Sequence, residues 1–478
     1  MMTVSRLLIT GTNSGSGKTT LTCALLSALK MRGLAPTAFK CGPDFIDPMF
    51  HRAVSDIPAY NLDPFFMDSA HLRAHLAART PGLAIIEGVM GYYDGINSAD
   101  DASAYVVARE TQTPAVLVVD ARGASHSLSA VIAGFVQYRP NSFIKGVIFN
   151  NAEEAAAGYL QERAEEAGVQ MYGVLPYNAK WELPNRHLGL LMAAEIANLQ
   201  EIILELGKQA EASLDIDGLL ALAGTAPDIS VPDYKVPDHS MSPGRTGKDA
   251  RLLDSLPDSL SDSLPDSVPG RPGQALRLAV ARDEAFCFLY EESLELLAEL
   301  GCELAFFSPI RDRVLPEGCQ GLYLCGGYPE LHSQELSANE SMKAAVRTAV
   351  LGGLPTIAEC GGFMYLHESL DGLPMCGVIK GATFMTDHLQ RFGYMTLTAK
   401  HDNMLCPAGG TFRAQEFHYS DSTNPGDDFI ALKASGGHSY PCIHASDSLY
   451  AGYPDLYLAA HPSFAARFVE KMRGVCHG

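Results

Sequence analysis

The sequence has few basic residues: 35 Lys and Arg stand against 55 Asp and Glu among 478 residues, which gives a formal net charge of −20. Phosphate backbones bind clustered basic side chains, so this balance argues against a nucleic-acid partner. No apolar run is long enough to cross a bilayer, and residues 114–119 are among the longest. We therefore expect no nucleic acid and no membrane as a partner.

The 11 cysteines form no Cys-x-x-Cys pair, and the first residues carry no signal-peptide pattern. This excludes a disulfide-rich secreted framework, and we expect free thiols in a cytoplasmic protein. Hydrophobic residues make up 47% of the chain and charged residues 19%, which is typical of a globular protein. A chain of this length is too long for one core, so two or more domains are expected.

Short apolar runs alternate with helical patterns in both halves of the chain. In the first half, apolar runs such as residues 84–86 and 144–149 are each followed by a polar residue. This pattern is common at the carboxyl ends of strands in a parallel sheet. Residues 253–269 are a degenerate repeat of Pro, Ser, Asp and Leu, which favours a spacer over a docking motif. We predict two doubly wound α/β domains, at 1–227 and 275–478, with a flexible linker at 228–274.

A glycine-rich segment at residues 11–20 follows a strand pattern and opens a helical one, which is typical of a P-loop. Its backbone N–H groups and the helix N-terminus are suited to phosphate oxygens. Lys18 is expected to neutralise β- and γ-phosphate oxygens. The first glycine lies one place earlier than in the standard spacing. The predicted ATP-binding residues are Gly11, Thr12, Asn13, Gly15, Ser16, Gly17, Lys18, Thr19, Thr20 and Lys40.

Acidic residues follow the strand patterns near the P-loop. Because Mg²⁺ prefers carboxylate, hydroxyl and phosphate oxygens, we predict Thr19, Asp44 and Glu87 as metal ligands. Lys40 is expected to contact either the γ-phosphate or the carboxylate of a substrate. The acids predicted to act in phosphoryl transfer are Asp44, Asp47 and Asp94.

The second half has a strand–turn–helix pattern around Cys360, in Ile-Ala-Glu-Cys-Gly-Gly-Phe-Met. A cysteine at such a turn lies above a helix N-terminus, which is expected to lower the pKa of the thiol. We predict Cys360 as a nucleophile and the backbone N–H groups of Gly361 and Gly327 as oxyanion donors.

A cysteine nucleophile needs a proton acceptor within hydrogen-bond reach. His461, in Leu-Ala-Ala-His-Pro, follows another strand pattern and is the predicted base. His418 and His388 are alternatives that the sequence alone leaves open.

These stretches together resemble the cobyrinic acid a,c-diamide synthase family over nearly the whole chain. The most specific is Pro-Asp-Phe-Ile-Asp-Pro at residues 43–48, which ordinary P-loop ATPases lack. The stretches that carry the resemblance are residues 11–20, 39–51, 61–64, 87–95, 119–122, 186–190, the Cys360 turn and residues 416–420.

The resemblance implies a dethiobiotin-synthetase-like P-loop domain followed by a class I glutamine amidotransferase domain. It implies amidation of the a and c acetate groups of a corrin precursor, with ATP, Mg²⁺ and ammonia from glutamine. ATP would activate the carboxylate as an acyl phosphate, while Cys360 would release ammonia through a thioester. The expected partners are a corrin-type tetrapyrrole, glutamine and ATP, in a monomer or homodimer.

Three positions depart from the pattern that the resemblance implies. Ser463 stands where many class I amidotransferases have Glu, and Ala414-Gln415 stands where members often have Gly-His.

Hydrogenobyrinic acid and nickel-sirohydrochlorin are alternative substrates. A partition-type P-loop ATPase switch is an alternative of another class, although residues 10–14 lack the extra Lys of that group. A binding protein with an inactive Cys360 domain is a third.

Overall fold

The computed structural model of the chain describes residues 4–55, 57–183, 185–186, 189–229 and 276–475. These residues form two compact units, one at 4–229 and the other at 276–475. Ile229 is buried in the first unit, and Arg6 donates a 2.8 Å hydrogen bond to the Pro227 carbonyl. The described part of the first unit therefore ends at residue 229, and the predicted domain boundary at residue 227 stays a prediction. The predicted linker lies, from residue 230 on, outside the described residues.

The first unit is built around a parallel seven-stranded sheet. Its strands are β1 Ser5–Gly11, β2 Pro36–Cys41, β3 Ala59–Leu62, β4 Leu83–Glu87, β5 Ala115–Asp120, β6 Ile144–Asn150 and β7 Gln170–Leu175, and a separate short pair is formed by β8 Asn185–Arg186 and β9 Gly189–Leu190. The order β3-β2-β4-β1-β5-β6-β7 places the carboxyl ends of β1, β2 and β4 side by side. Strands β1, β4 and β5 are buried along almost their whole length, which explains their continuous apolar runs.

Helices connect these strands: α1 Lys18–Met31, α2 Ile46–Ala53, α3 Ser69–Arg79, α4 Ala104–Thr111, α5 Ser127–Gln137, α6 Ala157–Glu166, α7 Leu199–Ser213 and α8 Ile216–Ala223, with 3₁₀ turns at Ile96–Ser98, Glu154–Ala156, Ala179–Trp181 and Ala193–Glu195. Helix α3 begins after Asp68, whose carboxylate accepts two backbone N–H groups of the first turn. Helix α7 packs closely against α1, because a Cβ at Gly207 would lie 2.3 Å from Ser27 Oγ.

The second unit contains a six-stranded sheet and several helices. Its strands are β10 Leu276–Ala281, β11 Cys302–Phe307, β12 Gly321–Leu324, β13 Thr356–Glu359, β22 His444–Ala445 and β23 Leu449–Gly452. The order is β11-β10-β12-β13-β23-β22, and β22 pairs antiparallel. The helices are α9 Glu291–Glu299, α10 Ser333–Ala338, α11 Glu340–Leu351, α12 Gly361–Leu366 and α13 Pro462–Val475, with 3₁₀ turns at Pro329–His332 and Leu458–Ala460.

Two smaller sheets complete this unit. One has the strands β14 His367–Leu370, β15 Leu373–Pro374, β16 Ile379–Met385 and β19 Ser420–Ser422, and the other has β17 Arg391–Ala399, β18 Thr411–His418, β20 Phe429–Lys433, β21 Ser439–Cys442 and β24 Asp455–Leu456. The predicted α/β pattern in each half of the chain is thus confirmed. None of the described helices is both long and apolar enough to cross a membrane.

Candidate active sites

The glycine-rich loop between β1 and α1 has a backbone that only glycine adopts readily. Gly15 and Gly17 have φ angles of 80° and 93°, in the left-handed region. Gly17 also lies against the end of β6, because a Cβ there would be 2.0 Å from the Asn150 amide nitrogen. That amide donates a 3.0 Å hydrogen bond to the Ser16 carbonyl. The loop is therefore held in shape by a side chain from a different strand.

Lys18 is the first residue of α1, and its side chain runs back along the loop. Its Nζ donates a 3.0 Å hydrogen bond to the Asn13 carbonyl, and its side-chain carbons would be 3.2 Å from a Cβ at Gly11. The Thr12 hydroxyl donates to the Asn13 side chain at 2.7 Å. Burial and the charge of Lys40 lower the pKa of Lys18 to about 8. A bound phosphate would favour the protonated ammonium, so this loop is suited to a polyphosphate.

A buried group of polar side chains lies beside Thr19, at the carboxyl ends of β2 and β4. The Thr19 hydroxyl donates a 2.8 Å hydrogen bond to Glu87 Oε1. Lys40 Nζ donates to the same oxygen at 2.9 Å and forms an ion pair with Asp47. His51 Nε2 lies 2.7 Å from Glu87 Oε2. Because Lys40 and Glu87 are almost fully buried, each charge is stabilised mainly by the opposite charges beside it.

Opposing effects set the protonation of this group. Burial alone would raise the pKa of Glu87, but Lys40 and His51 hold that pKa well below its usual range. Burial and the neighbouring Asp44 raise the pKa of Asp47 well above its usual value, although Lys40 acts in the other direction. Burial would lower the pKa of Lys40, yet Asp47 and Glu87 together raise it. The group therefore holds one ammonium and at least one carboxylate.

Two of the predicted acids have hydrogen bonds that hold the backbone. Asp44 Oδ1 accepts the N–H groups of Ile46 and Asp47 at 2.7 and 3.1 Å, which fixes the start of α2. Asp94 Oδ2 accepts the N–H of Gly91 at 2.8 Å, in the turn after β4. Asp94 also raises the pKa of Lys18 through its charge, although burial has the larger, opposite effect. Both acids thus have a local role besides the predicted one.

The loop and the buried group line a cleft of about 440 Å³. This volume is within the usual range of small-molecule sites. The lining includes Lys18, Thr19, Asp44 and Asp47 from the predicted set. It continues past the ends of β6 and β7, where Trp181 is one of its members. The cleft therefore combines a phosphate-binding end with room for the rest of a nucleotide.

The oxygen atoms at the loop end of the cleft fit a hard divalent cation. Thr19 Oγ1 lies 2.8 Å from Glu87 Oε1 and 3.4 Å from Asp47 Oδ1. Within the described residues, no three side chains of His, Cys, Asp or Glu are arranged to enclose a metal ion. Mg²⁺ in nucleotide sites usually takes only one or two protein ligands, with phosphate and water supplying the rest. The side-chain oxygens of Thr19, Glu87 and Asp47 are consistent with such a partial set of protein ligands.

In the second unit, Cys360 occupies the turn between β13 and α12. Its φ and ψ angles are 44° and −102°, a strained conformation for a residue with a side chain. Its backbone N–H donates a 2.8 Å hydrogen bond to the Gly452 carbonyl. A Cβ at Gly361 would lie 3.2 Å from the Gly327 nitrogen. The two segments predicted to supply oxyanion donors therefore meet beside Cys360.

The surroundings of the Cys360 thiol are acidic. Burial, followed by the charges of Asp455 and Glu330, raises the pKa of this thiol well above its usual value. A hydrogen bond with the Gly361 N–H acts in the opposite direction. The prediction of a lowered thiol pKa is therefore wrong. Burial and the neighbouring carboxylates raise that pKa by more than the helix N-terminus lowers it.

The structure places His461 in an aromatic environment. Its ring centroid is 5.9 Å from that of Phe412 and 5.5 Å from that of Phe464. Burial lowers the pKa of His461 to about 4, although a hydrogen bond to the Arg413 carbonyl acts in the other direction. Its Nε2 is buried without a hydrogen-bond partner in the described chain, and no hydrogen bond there joins it to Cys360. Its role as the base stays a prediction.

The other two histidines have partners of their own. His418 stacks on Tyr453 with centroids 3.8 Å apart, and its Nδ1 lies 2.7 Å from the Ser420 carbonyl oxygen. His388 is exposed and lies 2.8 Å from Asp387. Neither has a hydrogen bond to Cys360 among the described contacts.

Sequence reasoning missed two features of these sites. The first is His51, which is four residues after Asp47 and so on the same face of α2, a signal that the sequence did contain. The second is Asp455, whose Oδ2 accepts a 2.6 Å hydrogen bond from Gln415 Nε2. Asp455 and Gln415 meet only because β18 and β24 pair, which no local pattern indicates.

Comparison with known proteins assigns a domain family to each half of the chain. Residues 7–191 match the CobQ/CobB/MinD/ParA nucleotide binding domain, and residues 277–459 match the CobB/CobQ-like glutamine amidotransferase domain. The chain is 37% identical to hydrogenobyrinate a,c-diamide synthase of Streptomyces coelicolor, over 98% of each chain. It is 35% identical to cobyrinate a,c-diamide synthase of Caldanaerobacter subterraneus, over 97% of each chain.

The chain belongs to the a,c-diamide synthase family. The family resemblance and the fold class predicted from the sequence are confirmed. As a member of this family, the chain is an amide-forming ligase with a nucleotide-binding domain and a glutamine amidotransferase domain. The matched nucleotide-binding family also includes ParA, but the likeness to the synthases extends through the amidotransferase domain. A partition-type switch would leave that second domain without a role.

Proposed function

We propose that this a,c-diamide synthase amidates the a and c acetate carboxylates of cobyrinic acid, with ATP as the activating substrate and glutamine as the nitrogen source. Relatives named for cobyrinate and for hydrogenobyrinate are 35% and 37% identical to the chain, so identity alone does not choose between these substrates. Hydrogenobyrinic acid and nickel-sirohydrochlorin therefore stay as alternatives.

The observation that carries the proposal is the meeting of Lys18, Lys40 and Thr19 with buried carboxylates at one end of a single cleft. A carboxylate is a poor electrophile, because its leaving group would be oxide. Transfer of the ATP γ-phosphate to a carboxylate oxygen forms an acyl phosphate and ADP, and attack of ammonia then releases phosphate. The two ammonium groups would offset the negative charge that phosphate and carboxylate bring together.

Thr19 and Glu87, with Asp47 close by, would hold Mg²⁺ in this cleft, and Asp44 lines the same wall. When bound, the cation would neutralise charge on the β- and γ-phosphate oxygens. The buried ion pairs of Lys40 keep these carboxylates in place. Asp47 and Asp94 keep their predicted roles in phosphoryl transfer as part of this proposal.

In the second unit, Cys360 is proposed as the nucleophile that attacks the glutamine side-chain amide. The carbon–sulfur bond forms, the carbon–nitrogen bond breaks, and ammonia leaves with the proton that the thiol gave up. Water then hydrolyses the thioester to glutamate. The N–H groups of Gly361 and Gly327 are proposed to bind the oxyanion of each tetrahedral intermediate. The assignment of His461 as the base remains a prediction.

Incubation with cobyrinic acid, hydrogenobyrinic acid and nickel-sirohydrochlorin in parallel tests this proposal. Each reaction contains ATP and MgCl₂, with glutamine in one arm and ammonium chloride in the other. Mass spectrometry should find two amidations of one macrocycle, with ADP and phosphate formed in proportion. Turnover of ATP without amidation of any of the three would contradict the proposal.

A further inference from the structure

A carboxyl oxygen of Asp455 is enclosed beside the Cys360 turn without a partner. Asp455 is 5% exposed and lies on β24, opposite Gln415 of β18. Gln415 Nε2 donates a 2.6 Å hydrogen bond to Oδ2. Oδ1 is buried and has no hydrogen-bond partner among the described residues. One oxygen is thus held in a fixed orientation, while the other is available to a proton or a ligand.

Two contacts place Asp455 beside the segments that meet at the Cys360 turn. A Cβ at Gly326 would lie 3.5 Å from Asp455 Oδ1, and Gly326 adjoins the Gly327 segment that meets Gly361. The N–H of Leu456 donates a 2.9 Å hydrogen bond to Glu359, the residue before Cys360. After burial, Asp455 has the largest effect of any neighbour on the pKa of the thiol.

In the described part of the chain, no hydrogen bond joins an imidazole to the Cys360 thiol. The His461 ring packs on Phe412 and Phe464, and its hydrogen bond goes to a backbone carbonyl. His418 is stacked on Tyr453 and bonded to the Ser420 carbonyl. The charged groups acting most strongly on the thiol are all carboxylates.

We propose that Asp455 is the proton acceptor of the Cys360 thiol in the glutaminase reaction. This proposal rests on the proposed function and deepens its second half. The thiol proton passes to the Asp455 carboxylate as the carbon–sulfur bond forms. The resulting carboxylic acid returns that proton to the amide nitrogen, which leaves as ammonia. The carboxylate then accepts a proton from the water that attacks the thioester, and it passes this proton to the sulfur as the carbon–sulfur bond breaks. No further reactant is needed.

The acids around Asp455 make it a stronger base than an exposed carboxylate. Burial, followed by the charges of Glu359 and Glu416, raises the pKa of Asp455 well above its usual value. General base catalysis is most efficient when the pKa of the base lies near the operating pH, and a raised carboxyl pKa moves Asp455 in that direction. Gln415 has the opposite effect on the pKa of Asp455, because the hydrogen bond from its amide favours the ionised carboxylate.

The decisive variant is Asp455→Asn in the full chain, which keeps the shape of the side chain and removes its basicity. Glutamine-driven amidation should fall by about 10²–10⁴-fold, the usual contribution of general base catalysis. Ammonium-driven amidation should stay at the wild-type rate, because the thiol is not needed there. Asp447→Asn is the matched control, since Asp447 is an exposed carboxylate of the same unit, paired with Lys471.

The outcomes separate this proposal from the proposed function. If the wild type uses ammonium and glutamine, and Asp455→Asn keeps glutamine-driven turnover within threefold, Asp455 is not the base and His461 regains that role. If the wild type uses ammonium but never glutamine, the glutaminase proposal fails with this one, while the synthetase half stands. If neither nitrogen source is used, the proposed function itself fails.

Gln415→Leu provides a second test that does not depend on the first variant folding. Loss of the amide donor should raise the pKa of Asp455 further, so the acidic limb of the pH profile for glutamine kcat/KM should move to higher pH. A merely structural role for Gln415 would lower the rate at every pH without moving that limb. An unmoved limb in a folded Gln415→Leu protein would overturn the proposal.

Discussion

Lys40 and Glu87 are register partners on the neighbouring strands β2 and β4, and Lys40 Nζ donates a 2.9 Å hydrogen bond to Glu87 Oε1. The Thr19 hydroxyl of the P-loop helix donates to that same oxygen. The phosphate-binding loop is thereby tied to a buried ion pair in the sheet. This pairing explains why a lysine well beyond the glycine-rich segment belongs to the site.

Lys40→Met should destabilise the first unit by about 3–5 kcal/mol, because it leaves two buried carboxylates without their cation. The only tryptophan of the chain, Trp181, is buried in this unit, so its fluorescence reports the unfolding in urea. Lys208→Ala, at an exposed position of α7, is the control and should change little. An unchanged urea midpoint for Lys40→Met would show that the ion pair is not structural.

Gly17→Ala and Gly15→Ala form a matched pair. Both residues have a positive φ, which costs an alanine about 1–2 kcal/mol. Only at Gly17 would the new methyl collide with Asn150, whereas nothing lies within 4 Å of a Cβ at Gly15. Gly17→Ala should therefore lower the stability of the nucleotide-free protein more than Gly15→Ala, in the same Trp181 assay. Equal losses would mean that the Asn150 contact does not constrain the loop.

Nucleotide affinity should depend on pH through Lys18. Burial lowers the pKa of Lys18 to about 8, and a bound phosphate favours its protonated form. Affinity is therefore highest below pH 8 and should weaken by up to about tenfold per pH unit above it, as a proton must be taken up on binding. Titration of ATP at pH 7 and pH 9, with Trp181 fluorescence as the signal, measures this. A flat profile would contradict the assignment of Lys18 to the phosphates.

Lys18→Ala should stop amidation from either nitrogen source, because both require the activated carboxylate. Hydrolysis of glutamine should persist at some level, since it belongs to the other unit. Amidation and glutamate formation are followed in the same reactions by mass spectrometry. Normal amidation by this variant would show that the P-loop is not the activating site.

The P-loop and the Cys360 turn could be predicted from the sequence because the residue patterns that indicate them are local. The P-loop needs a strand end, two glycines with positive φ and a helix start, and all of these lie within residues 11–20. The turn at Cys360 is equally local. The P-loop and the Cys360 turn each lie between a strand and a helix of an α/β unit, as the sequence predicts.

The remaining contacts depend on which strands become neighbours. Lys40 and Glu87 touch because β2 pairs with β4, although β3 lies between them in the chain. The Asp455–Gln415 contact likewise requires the pairing of β24 with β18. His461 could be chosen from the sequence as a histidine after a strand, but its packing against Phe412 follows from the folded sheet.

The central claim is a division of labour, in which the first unit activates a carboxylate and the second releases ammonia through a thiol. Cys360→Ala in the full chain tests it most directly, with glutamine and ammonium chloride compared at equal ATP. The account predicts that glutamine-driven amidation disappears and ammonium-driven amidation continues near the wild-type rate. Undiminished glutamine-driven amidation by Cys360→Ala would contradict it.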